Sequence, residues 1–182
     1  MRLPVAGLVW IAVSVGCTGA TPTSPSLVGR SAGVTPGSGS TSGSAASASV
    51  VPLKGKLEGV ADPPQFEPPP STFFSAHLLA SGTAAHLGRF TMDYSHRVNL
   101  ADLSGQGTAT LTAANGDTLT TRVVGTAAPT SSPTAFTVVE THTVTGGTGR
   151  FVDARGSFVV TRSVDFADPF TEGSIDGELT AH

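Results

Sequence analysis

In Leu87-Gly88-Arg89-Phe90-Thr91-Met92-Asp93-Tyr94-Ser95-His96-Arg97-Val98, apolar and polar side chains alternate. Phe90, Met92, Tyr94 and Val98 fall on one side, and Arg89, Thr91, Asp93, Ser95 and Arg97 on the other. A period of two is that of a β-strand with one face buried and one face wet. The same alternation recurs downstream. Ala109, Leu111 and Ala113 oppose Thr108, Thr110 and Thr112, while Ile175 and Leu179 oppose Ser174, Asp176 and Glu178. Between them, Asn115-Gly116 is a strong hairpin signal.

Working outward from these segments, strands are predicted near Leu53–Val60, Phe73–Thr83, Leu87–Val98, Gly105–Ala113, Thr118–Gly125, Ala135–Thr145, Gly156–Val164 and Thr171–Thr180. Helix signals are nearly absent. Thr and Val are abundant, and Gly, Asn, Asp and Pro recur at short intervals, as expected of short strands joined by turns. The predicted class is all-β: one small antiparallel barrel of about eight strands joined in sequence order, since closure removes exposed sheet edges. A two-sheet sandwich is the runner-up. The domain is assigned to residues 52–182, a length that can bury a real core.

Ahead of it, residues 17–51 are mostly Ser, Gly, Thr, Ala and Pro, with Arg30 the only charge. Too few large apolar side chains are present to offset ordering entropy, so this segment is expected to be a disordered linker. About 35 residues of such a coil reach roughly 30 to 35 Å. Residues 1–16 comprise Met1, Arg2 and an apolar run from Leu3 to Val15, broken by Pro4 and Ser14. The run is shorter than the ~20 residues of a spanning helix and has the layout of a signal peptide.

Val15-Gly16-Cys17 follows, and Cys17 is the single cysteine of the chain. The run Val13 to Cys17 resembles the bacterial lipobox, with Ser14 where that pattern favours Leu. The resemblance implies cleavage before Cys17 and its modification with lipid, palmitate included. Two acyl chains suffice to hold a protein on a membrane without spanning it. Ordinary cleavage after Ala20, giving a secreted protein, is the alternative. Thr18 resembles the outer-membrane default of Gram-negative lipoproteins, which implies an envelope location.

Thr145-Gly146-Gly147-Thr148-Gly149-Arg150-Phe151-Val152-Asp153-Ala154-Arg155-Gly156 resembles the glycine segment of dirigent proteins and allene oxide cyclase-like barrels. That resemblance implies an eight-stranded barrel, in agreement with the strand count. The dirigent catalytic carboxylates find no match, so no activity is carried over. The segment lacks the Lys-Ser or Lys-Thr ending of a phosphate loop, and no helix pattern follows it. Gly146, Gly147 and Gly149 are therefore read as turn glycines, with Arg150, Asp153 and Arg155 pairing to fix the loop.

Chemistry-bearing residues are few. His77, His86, His96 and His142 lack the spacing of a local metal pair, so no metal is expected, and no cofactor motif is present. His96 continues the Phe90, Met92, Tyr94 face, and His142 shares its phase with Val138, Glu140 and Val144. In a barrel, Tyr94, His96, Glu140 and His142 would converge inside, as a small-molecule pocket or as a satisfied core network. Loss of Arg2 with the leader leaves nine basic residues against 13 acidic, a formal net charge of −4. Nucleic acid is not an expected partner.

Three functions remain open on this reading. The leading one is a membrane-anchored, non-enzymatic module that binds a small apolar ligand or an envelope component. A dirigent- or cyclase-like isomerase and a purely structural envelope module are the alternatives.

Overall fold

The computed structural model describes residues 49–181. The expected signal peptide, Cys17 and the expected linker up to residue 48 lie outside the described residues. Eight long strands follow one another around a barrel: β1 Ser49–Ala61, β3 Phe73–Ala84, β4 Gly88–Asn99, β5 Ser104–Ala113, β6 Thr118–Pro129, β7 Ala135–Gly147, β8 Arg155–Asp165 and β9 Phe170–Ala181. A two-residue strand, β2 Gln65–Phe66, lies alongside β3. Every pairing is antiparallel, and β1 bonds both β9 and β3, which closes the sheet. The closed barrel agrees with the class read from sequence and excludes the sandwich.

Strand β1 starts at Ser49, so Ser49–Val51, assigned to the linker from composition, are strand. Val50 and Val51 suit a pleated ladder, and they pair with Thr180 and Leu179 of β9. The short β2 escaped sequence reading because two residues flanked by Pro63, Pro64 and Pro68 carry no periodicity.

The two ends of the barrel differ. At one end, Leu53, Leu87, Leu119, Phe151 and Leu179 are almost wholly buried and fill the interior. Phe151 comes from the glycine segment. Gly146 and Gly147 finish β7, Thr145 is bulged against β6, and a 3₁₀ turn spans Gly149–Phe151. Positive φ occurs at Gly149 (+56°), Asp153 (+62°) and Gly156 (+131°), while Gly146 and Gly147 are extended. Gly147 serves close packing, since a Cβ there would sit 2.7 Å from Phe151 Cβ.

The loop pairing expected within that segment is corrected. Arg150 donates to the Leu87 carbonyl at 2.8 Å and faces Asp117 at 3.7 Å. Asp153 takes a left-handed conformation, and Arg155 opens β8 with its N–H donated to Thr180 Oγ1 at 3.0 Å. Three residues within one tight turn cannot face one another once a 3₁₀ turn and a strand start separate them.

Turn Ala114–Asp117 is a hairpin, but only Gly116 takes positive φ (+88°). Gly116 N–H bonds the Ala113 carbonyl, and Ala113 N–H bonds the Asp117 carbonyl. This is a type I turn closed by a glycine bulge.

Candidate functional site

The other half of the barrel is hollow. A cavity of about 610 Å³ opens there between the ends of β3 to β8. Its walls are largely apolar, built by Phe74, Val98, Leu100, Phe136, Val138 and Val164, with Asp62 and Asp165 also on the lining. Its floor is polar, built by Tyr94 and His96 of β4, Glu140 of β7 and Arg162 of β8. The volume and the mix of apolar wall and few convergent polar groups match a small-molecule site.

Each floor residue arises from strand alternation. Tyr94 and His96 continue the Phe90–Met92 face, and Glu140 shares the inward side of β7 with His142. Arg162 continues the inward side of β8 after Phe158 and Val160. Three of the four sit opposite a glycine in the neighbouring strand: His96 faces Gly107, Glu140 faces Gly125 and Arg162 faces Gly173. A Cβ at these glycines would lie 2.8 Å from His96 Cβ, 2.8 Å from Glu140 Cγ and 2.7 Å from Arg162 Cβ. The barrel thus clears space on one strand for each polar side chain on the next.

Arg162 and Glu140 form a bidentate pair, Nε to Oε2 and an Nη to Oε1, both at 2.9 Å. Both residues are about 95% buried. Such fork-to-fork geometry is strong and directional. Burial alone would raise the Glu140 carboxyl, yet the hydrogen bonds and charge of Arg162 outweigh it and hold it below the usual carboxylate range. Burial works against the Arg162 cation, and Glu140 more than restores it. The pair is charged and internally neutralised.

Tyr94 and His96 stack, with ring centroids 4.4 Å apart and planes 14° from parallel. Burial and then the neighbouring Glu140 carboxylate push the Tyr94 phenol well above its ordinary value, so it stays a neutral donor. Burial, aided by the Arg162 charge, pulls His96 down to about 4, so its ring is neutral at physiological pH. Its Nδ1 is enclosed and has no partner among the described residues.

His142 lies deeper and does not line the cavity. Its Nδ1 bonds Thr121 Oγ1 at 3.0 Å, and its ring stacks on Phe158 at 4.7 Å. Burial draws it to about 4, against a partial offset from Glu140.

The structure therefore brings Tyr94, His96 and Glu140 together at one floor and places His142 beneath it, within 6.0 Å of the Tyr94 ring. Arg162 was not anticipated from the sequence. Its signal was present, since Phe158, Val160, Arg162 and Val164 share one phase of β8. Among the described residues, no group of three or more His, Cys, Asp or Glu is arranged to hold a metal ion. The other two histidines among the described residues are peripheral: His86 is an exposed turn residue with φ of +61°, and His77 lies on the outer wall.

No family model and no curated protein matches this sequence. Solved structures do resemble the fold. The pterocarpan synthase dirigent protein GePTS1 aligns with a TM-score of 0.53 at 16% identity, over 74% of this chain and 89% of its own. The pterocarpan synthase dirigent protein PsPTS1 aligns with a TM-score of 0.52 at 14% identity, over 74% of this chain and 96% of its own. The domain is a dirigent-like eight-stranded barrel.

Proposed function

We propose that this barrel binds a small, neutral, largely apolar molecule with one hydrogen-bonding head, as part of an exported lipoprotein anchored through Cys17 at the bacterial envelope. The observation that carries the binding role is the cavity of about 610 Å³, apolar at its walls and charge-balanced at its floor. Glu140 and Arg162 neutralise each other, so a charged ligand would gain little there and lose its hydration. Tyr94 offers a neutral phenol donor beside the His96 ring, which suits a hydroxyl or carbonyl head.

N-phenyl-1-naphthylamine, a neutral apolar fluorophore, tests this directly. Its emission is expected to rise on binding and to be lost in Val138→Trp, which fills the cavity. Absence of any rise with the wild-type protein would leave the structural-module reading. The anchor is tested by intact mass from the native membrane. A chain that starts at Cys17 with acyl mass added, and is unmodified in Cys17→Ser, supports it; a chain that starts after Ala20 removes it.

A cyclase- or isomerase-like role is the second reading, favoured by the stacked Tyr94–His96 pair beside Glu140 and by the resemblance to pterocarpan synthase dirigent proteins. A carboxylate tied by Arg162 and an imidazole lowered to about 4 are weak bases, so the floor is better suited to hydrogen bonding than to proton abstraction. Chemical conversion of a molecule recovered from the purified protein, abolished by Tyr94→Phe and His96→Phe, would reverse that order.

A further inference from the structure

The wall of the cavity mouth between β1 and β2 is the segment Asp62–Pro64, whose three residues all line the cavity. On its outer side Asp62 meets His77 of β3. The Asp62 N–H donates to the His77 carbonyl at 2.8 Å, and Asp62 Oδ2 lies 3.0 Å from His77 Nδ1. The other ring nitrogen, Nε2, lies 3.0 Å from Asp93 Oδ1 of β4. One imidazole therefore bridges two carboxylates.

Ionised carboxylates only accept hydrogen bonds, and a neutral imidazole has a single N–H. Both contacts can be hydrogen bonds at once only while the ring carries two protons and a positive charge. Deprotonation leaves one nitrogen lone pair facing a carboxylate oxygen at 3.0 Å, and one contact must open; Asp93 is held in the β3–β4 ladder, so the backbone free to move away is that of Asp62, beyond the end of β1.

We propose that Asp62–Pro64 is a pH-operated strap over the cavity mouth, fastened by the protonated His77 bridge and released when His77 loses its proton. The inference rests on the binding role of the cavity. It concerns the rate at which that cavity exchanges its contents.

The charges around His77 are compatible with this. Asp62 comes from the strap, and Asp93 and Arg97 come from the outward side of β4. Arg122 of β6 lines, with His77 and Arg97, a depression on the outside of the barrel, and His96 lies on the inner side of β4. The hydrogen bonds that the His77 ring donates to Asp62 and Asp93 raise its pKa, against an opposing cost of desolvation. The far end of the strap is fixed differently. Glu67, just past β2, takes a bidentate bond from Arg97 at 2.6 and 2.9 Å, and the Arg97 and Ser71 hydrogen bonds hold its carboxyl at about 2. That end does not titrate near neutrality, so deprotonation of His77 loosens the strap only at its other end. For a raised histidine pKa, the contact is complete at low pH and lost as pH rises through the folded value.

The test pairs stopped-flow association of N-phenyl-1-naphthylamine with an NMR titration of His77. The association rate is expected to rise about two- to fivefold as His77 deprotonates, the scale of an exposed ion pair. His77→Gln should be fast and flat across the same range. Exchange of the Asp62 amide, corrected for intrinsic pH dependence, should rise over the same window. If the probe binds and His77 titrates while both rates stay flat, the strap is wrong and the cavity reading survives. If the probe never binds, the cavity reading fails, and the strap stands or falls on Asp62 exchange alone.

Discussion

Breaking one half of the Glu140–Arg162 pair leaves the other as an uncompensated buried charge, a loss of about 3–5 kcal/mol. Glu140→Gln and Arg162→Met are each expected to show that loss in urea unfolding, and the double variant is expected to recover much of it. Acid acts on the same neighbourhood. His96 and His142 are held neutral by burial at about 4. A depressed histidine contributes stability above its unfolded value that is lost as pH falls toward the folded one. Unfolding free energy should therefore drop by a few kcal/mol between about pH 6.5 and 4, and His96→Phe with His142→Phe should flatten that limb. Glu140, held low, adds its own loss only further into acid. Alternation of residues made Tyr94, His96, Glu140 and His142 legible, because period two reports which side of a strand a residue occupies. It does not report depth along the barrel axis, so His142 read like its neighbours although it lies beneath the floor. Arg162 was passed over because a charged residue in a valine-rich strand is usually solvated, and only its partner on β7 makes its burial tolerable.

At the scale of the strand, glycine placement distinguishes a barrel that can hold large inward side chains from one that cannot. Gly125→Ala and Gly173→Ala would press a methyl against Glu140 and Arg162 and are expected to cost about 1–3 kcal/mol each through overpacking. Gly105 is the control. A Cβ there would meet Val98 Cγ2 at 3.6 Å, an ordinary contact, so Gly105→Ala should change thermal stability little. Differential scanning calorimetry on the three variants checks the ranking, and equal losses would refute it. Strand positions were legible for all eight long strands because one face of each is buried, whereas nothing in the sequence marks what the glycines within them are for. Their purpose emerges only from register, which pairs residues distant in sequence, as Gly125 and Glu140 are paired. The glycine segment misled in a similar way: Gly146 and Gly147 resembled turn residues but complete β7, and the turn itself begins at Gly149.

For the whole molecule, stability should be concentrated in the filled half. Phe151→Ala removes a side chain only 2% exposed and is expected to cost about 3–5 kcal/mol. Phe136→Ala, at the cavity wall, should cost about 1 kcal/mol or less, because its ring already borders open space. Chemical denaturation of the two variants gives the comparison, and similar losses would contradict a half-hollow barrel. The direction of β1 adds a consequence of a different kind. Its first residue, Ser49, stands at the filled end, and its last, Ala61, stands at the rim. Thirteen residues at about 3.3 Å each, tilted as barrel strands are, separate those ends by roughly 30 Å. The chain therefore enters the barrel at its closed base and not at its mouth, so an attachment made through the residues ahead of Ser49, such as the proposed lipid anchor, would pull at the end opposite the opening.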